Sequence, residues 1–260
     1  MSVEYSGTGD PARSLALLWR TREKTSRKGG DLSVERIVRA AIEVADAEGL
    51  AALSMRRVAE RLGVGTMSLY THVPGKGELL DVMLDTVYGE TARPQDLDGG
   101  WRGRLEQIAR ENWALYLRHP WLLQVATTRP PLGPNVTAKY EYELRAVEGV
   151  GLTDLEMDAV ITLLDGYVHG AVRGAVEAAQ AAQRTGMTDE QWWRAHAPYL
   201  EKVMDPQRFP TAARVGTAAG QEYQGPSDPA RAFEFGLARV LDGVAVLIGE
   251  RRGGAGPAGA

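Results

Sequence analysis

Apolar residues recur along most of this chain at steps of three and four, and sustained alternation is scarce, so the pattern predicts helices and little sheet. Ser33 reads as an N-cap, Glu35 suits the first turn, and Ile37, Ala41, Val44 and Ala45 form one apolar stripe before Gly49 ends the helix. A second helix opens at Ser54, turns Val58, Ala59 and Leu62 inward, and stops at Gly63. Val64 and Gly65 turn the chain into a short third helix over 66–73, which Pro74 and Gly75 break; a fourth runs from Glu78 to about Tyr88. Ahead of these, residues 1–12 read as loose and 14–22 as a short helix.

Downstream, Pro94 and the glycines at 99 and 100 mark a boundary. A helix follows over 101–118, with Trp101, Leu105, Ile108, Trp113 and Leu115 on its apolar face. Pro120 interrupts it and a short helix continues to Ala126; the proline-rich stretch 129–134 is a loop, with Asn135 as the cap of the next helix. Thr153 with Glu156, and Thr188 with Gln191, are capping boxes that open two further helices, one reaching about Arg184 and the other Met204. Residues 205–227 read as mobile, the last helix runs from Pro229 to about Glu250, and 253–260 as a disordered tail. The expected fold is all-α with nine or ten helices. Its expected parts are a flexible basic extension (1–31), a helix-turn-helix domain (32–92), a larger helical domain for dimerisation and effector binding (93–251), and a disordered end (252–260).

Charge sharpens this picture. The 260 residues carry a formal net charge of −4, but 13–76 hold 12 Lys/Arg against 7 Asp/Glu, whereas 81–260 hold 18 against 24. A basic end on an acidic chain points to a nucleic-acid contact there. Arg20, Arg22, Lys24, Arg27 and Lys28 form a basic arm of the kind that enters a minor groove, or else a solubilising tail. The chain has no cysteine, which excludes disulfides and thiolate chemistry. No apolar run approaches the roughly 18 residues of a membrane span, and the opening run at 15–19 is too short for a secretory leader. A cytoplasmic protein is expected.

The informative block is 53–76: two short helices around a tight glycine turn, the arrangement whose second helix lies in a DNA major groove. Leu69 and Val73 face inward, so Thr66, Met67, Ser68, Tyr70, Thr71 and His72 cannot all hide behind so short a helix. Their hydroxyls and aromatic rings suit base edges and phosphates. Arg56 and Arg57 sit in the first turn of the preceding helix, where the helix dipole disfavours cations and a nearby phosphate would offset the cost.

Val58-Ala-Glu-Arg-Leu-Gly-Val64, Ser68-Leu-Tyr70 and His72-Val-Pro-Gly-Lys76 before Glu78-Leu-Leu80 together resemble the DNA-binding domain of tetracycline-repressor (TetR) family regulators. With the helix from Ser33 to Gly49 the resemblance covers about fifty residues. It implies that Tyr70 and Lys76 contact phosphates, that Arg56, Thr66, Ser68 and Thr71 lie nearest the bases with Met67 beside them, and that His72 sits at the phosphate edge. Gly65 and Met67 offer few hydrogen bonds to bases, so the operator cannot be read here. The rest is similar to the tetracycline-repressor-like subgroup in pattern, through Arg118-His-Pro-Trp121, the long helix after Asp154 and the closing helix.

Gly166, Gly170 and Gly174 fall on one stripe, and with Gly236 and Gly243 they suggest a helix–helix interface such as a dimer's four-helix bundle, unless the spacing is chance among 30 glycines. Aromatics gather in the same region, and Trp113, Trp121, Tyr167 and Trp193 are the candidate effector contacts. His119, His169 and His196 lie on separate helices without metal-ligand spacing; no catalytic residue, cofactor or metal is expected, and no phosphate loop or nucleophile elbow appears. The expected function is a homodimeric repressor that binds a palindromic operator in double-stranded DNA and is released by a small aromatic or amphipathic effector, away from membranes. An activator is the alternative, and more remotely a helical enzyme without linear motifs.

Overall fold

The computed structural model describes residues 4–7, 10–20, 32–94, 99–126 and 129–254. The fold is all-α, as the periodicity predicts. Among the described residues run α1 (Pro11–Leu18), α2 (Val34–Glu48), α3 (Met55–Leu62), α4 (Thr66–Tyr70), α5 (Lys76–Tyr88) and α6 (Gly100–Arg118). They are followed by α7 (Pro134–Val147), α8 (Asp154–Thr185), α9 (Asp189–Val203), α10 (Pro210–Tyr223) and α11 (Pro229–Gly254). A short parallel pair joins β1 (Glu4–Tyr5) to β2 (Val125–Ala126).

The local signals act as chemistry requires. Ser33 Oγ accepts from the Arg36 N–H at 3.3 Å and Ser54 Oγ from the Arg57 N–H at 3.1 Å, so α2 and α3 each begin with one orphan donor satisfied. Both capping boxes form, Thr153 with Glu156 and Thr188 with Gln191. Two cores result. The first gathers α1 to α5 and adds Leu115, Trp121, Leu122 and Val125; the second gathers α6, α7, α8 and α11 around Leu105, Leu164, Val168 and Leu241.

Several expectations change. The start of the chain is not one flexible extension: β1 pairs with β2, Ser6 Oγ donates to the Ala126 carbonyl at 3.3 Å, and Asp10 caps an α1 that packs on α5 and buries Leu18. Arg20 pairs with Glu35, while Arg22, Lys24, Arg27 and Lys28 lie outside the described residues. The short helix expected to reach Ala126 is a 3-10 turn over Pro120–Gln124 followed by β2. Residues 210–223 are helical rather than loose, although α10 buries nothing. The last helix continues to Gly254, into the expected disordered end.

Asn135 does not cap α7; it lies inside the first turn, after Gly133 and Pro134. The cap comes instead from α5. Asp85 Oδ1 accepts from the backbone N–H groups of Asn135 and Val136, each at 3.0 Å, and Oδ2 accepts from the Asn135 side chain at 3.1 Å. A Cβ on Gly133 would lie 2.2 Å from Asp85 Oδ1, so glycine there lets the carboxylate reach the helix end. Burial pushes the Asp85 carboxyl above its ordinary range, partly offset by these donors.

The glycine stripe is mostly open within one chain. Nothing lies within 4 Å of a Cβ built on Gly166, Gly170 or Gly243, whereas Gly174 meets Pro229, and a Cβ on Gly236 would lie 2.4 Å from the Tyr167 hydroxyl.

Asp85→Ala strands the donors at the start of α7, and should lower the unfolding free energy by about 1–3 kcal/mol. Asp85→Asn, which keeps one acceptor, should lose less; the melting temperatures of both variants check this order.

Candidate nucleic-acid interface

Helix α3 ends at Gly63, whose φ of +69° is the left-handed geometry that glycine adopts without strain. Its N–H bonds the Glu60 carbonyl at 3.2 Å, and the Val64 N–H bonds that of Ala59 at 3.1 Å, which closes α3 and turns the chain into α4. Helix α4 has only five residues and no side-chain cap, too short to hold itself. Leu69 and Val73, both fully buried, pin it to the first core.

That anchoring decides what faces outward. Met67 is 76% exposed and Tyr70 45%; Ser68 and Thr71 are exposed, and Thr66 and His72 half-buried. The Thr71 hydroxyl donates to the Ser68 carbonyl at 2.7 Å, so towards a partner it offers its lone pairs. Lys76 opens α5 beyond the next turn and is half-buried. The helix is shorter than expected, ending at Tyr70, with Thr71 as its C-cap.

The two arginines of α3 part company. Arg56 projects with a side chain 83% exposed, 3.5 Å from Glu60. Arg57 grips Glu48 of α2 through Nη2 to Oε1 at 2.6 Å and Nε to Oε2 at 3.0 Å. Its local cost is therefore met inside the chain rather than awaiting a phosphate. Hydrogen bonding to Arg57 holds the Glu48 carboxyl below the usual range.

Of the four aromatic effector candidates, the structure brings two together. Trp113 and Tyr167 flank Phe233 with ring centroids 4.4 and 6.0 Å away, and the Tyr167 hydroxyl donates to the Phe233 carbonyl at 2.6 Å. Trp121 is buried in the first core with its Nε1 donating to Asp46 at 2.8 Å, and Trp193 of α9 packs over Gly220 of α10.

Sequence reasoning passed over two polar clusters. In the second core's neighbourhood Lys139 pairs with Glu143 and with Asp165 at 3.5 Å, and Asn112 donates to Glu143 at 3.3 Å and Asp165 at 3.0 Å. Burial opposes the Lys139 charge, but the carboxylates of Asp165 and Glu143 outweigh it and hold the ammonium above its ordinary range. For the neighbouring Tyr88 and Tyr116, burial instead pushes the hydroxyls above their ordinary range. In the other cluster the buried His119 ring sits between Asp46 Oδ1, 2.8 Å from Nδ1, and Glu90 Oε2, 3.0 Å from Nε2. His169 meets Tyr116 edge-on, and His196 stacks on Trp192. Burial lowers the pKa of His169.

Comparison with known proteins agrees with this geometry. Residues 37–83 match the model for bacterial regulatory proteins of the tetR family, and 93–248 the model for the tetracyclin repressor-like C-terminal domain. The chain is 51% identical over 258 residues to the HTH-type transcriptional repressor DrrR1 of Streptomyces coeruleorubidus, covering 98% of this chain and 93% of that one. Among solved structures it is similar to apo ActR of Streptomyces coelicolor, with a TM-score of 0.68 at 31% identity over 86% of this chain and 99% of that one. ActR in complex with actinorhodin matches equally well, at a TM-score of 0.68 and 31% identity over 89% of this chain and all of the other.

Leu69→Ala should destabilise the first core by about 2–5 kcal/mol and release α4. Thr71→Val, which removes a surface hydroxyl, should leave the melting temperature nearly unchanged. Equal losses in the two variants would contradict the anchoring of α4 by its buried side.

Proposed function

The chain belongs to the tetR family of bacterial regulatory proteins, and from that premise we propose that it is a cytoplasmic repressor that binds a palindromic operator as a homodimer and is released by a small molecule. Residues 32–92 form the reading head and 93–251 the body in this reading. The observation that carries it is the outward face of α4, with Ser68, Tyr70 and Thr71 exposed while Leu69 and Val73 are sealed in the core. One such helix covers only a few base pairs, so useful specificity needs two heads about one helical turn apart. The open Gly166 and Gly170 on α8, with Gly243 on α11, give a second chain a surface to approach.

Within the head, Arg56, Thr66, Met67, Ser68 and Thr71 face the bases, and Tyr70, His72 and Lys76 face the phosphates. The name of DrrR1 supports repression over activation, and the ActR–actinorhodin complex supports an organic effector. We place that effector in the body beside Trp113 and Tyr167, with the Lys139, Glu143 and Asp165 cluster as its polar counterpart. Trp121 and Trp193 lie apart from that pair, one buried in the first core and the other over Gly220.

Duplexes selected from random sequence with the full chain test this reading. Lys76→Ala should weaken binding on every sequence and flatten the salt slope by about one unit. Ser68→Ala should instead change the preferred bases with the slope retained. A Lys76→Ala protein with altered preference and an unchanged slope would contradict the phosphate assignment.

A further inference from the structure

A cleft of about 420 Å³ opens where α2 meets α6, the 3-10 turn after it and the C-terminal half of α8. Its size lies within the range of small-molecule sites. Neither Trp113 nor Tyr167 lines it, whereas Trp121, another of the aromatic candidates, does. The apolar part of the lining includes Leu117 and Val176; the polar part includes Asp46, Gln124, Gln180, Gln183 and Arg184.

The polar groups are not all spent. Asp46 directs one oxygen, Oδ1, at both His119 and Trp121, and no donor among the described residues reaches Oδ2. Glu48 and Arg118 are neutralised by Arg57 and Glu90. Arg184 has no carboxylate partner among the described residues. One wall therefore keeps an open carboxylate oxygen and another an open guanidinium, with amides that can donate or accept between them. A plain anion would meet the open oxygen of Asp46; a plain cation would meet Arg184. A molecule with a carboxylate at one end and a hydroxyl or amine at the other satisfies both.

We propose that this cleft binds a small hydroxy- or amino-carboxylate, its carboxylate on Arg184 and its donor on Asp46. Because α2 belongs to the first core and α8 to the second, an occupant fits only some orientations of the one on the other, so it biases the position of α4. That consequence alone rests on the repressor reading; binding in the cleft does not.

The test uses full-length protein with 4-aminobenzoate and 4-hydroxybenzoate as probes and their ethyl esters as controls, followed by calorimetry. Both acids should bind and the esters should not. Arg184→Gln should weaken the acids about tenfold, as loss of one charge-assisted pair implies. Ala179→Trp, on an exposed part of α8 that lines the cleft, should abolish binding while the melting temperature stays unchanged. No binding of either acid at millimolar concentration, esters that bind as well as acids, or affinities untouched by Arg184→Gln would each overturn the proposal. Should the protein bind no duplex at all, the repressor reading fails and these binding results still decide the cleft.

Discussion

Helix α5 is buried on most of its surface and yet carries carboxylates, and three segments distant in sequence converge on it to satisfy them. Asp81 and Asp85 are 2% and 4% exposed. A buried carboxylate without donors is costly, so each recruits a segment distant in sequence. Asp81 Oδ1 accepts from the Gly7 N–H at 2.9 Å, and Asp85 accepts from the start of α7. Two residues past the helix, Glu90 accepts from Arg118 and faces His119. Burial still pushes both aspartates above their ordinary range, so acid titration of these two groups favours the folded state as pH falls. Helix α5, which follows α4, is thereby tied to the chain's start, to α6 and to α7.

This arrangement explains how so short a helix as α4 presents a defined face. Five residues cannot sustain a helix alone, and α4 borrows order from the core through Leu69 and Val73. The core in turn is held by α2, α3 and α5, with the Arg57–Glu48 pair bracing α3 against α2. Side chains on a rigid platform lose less freedom on binding than side chains on a mobile one. Ser68, Tyr70 and Thr71 are therefore held outward on a fixed platform.

Much of this was legible in the residues because it is local. Ser33, Ser54, Thr153 and Thr188 cap helices through atoms two or three positions away, and the turn at Gly63 needs only its own φ. The contacts that escaped are long-range. Asp85 caps a helix fifty residues later, and β1 pairs with a strand 121 positions downstream in register, neither of which leaves a periodic trace. Helix α10 escaped for the opposite reason: it is glycine- and alanine-rich and buries nothing, so no apolar stripe announces it. Arg57 read as a cation awaiting phosphate because its partner, Glu48, belongs to the preceding helix. That the Trp121 indole N–H serves Asp46, seventy-five positions upstream, left no trace in the local pattern either.

The central claim is that two copies of the α4 face read one duplex together. Hydroxyl-radical footprinting of a selected duplex, with native mass spectrometry of the same complex, tests it most directly. The account predicts two chains per duplex and two protected half-sites related by a two-fold axis, centred about 34–36 Å apart or a multiple of that spacing. A single chain bound to one unpaired site, or protection spread without a repeat, would contradict it.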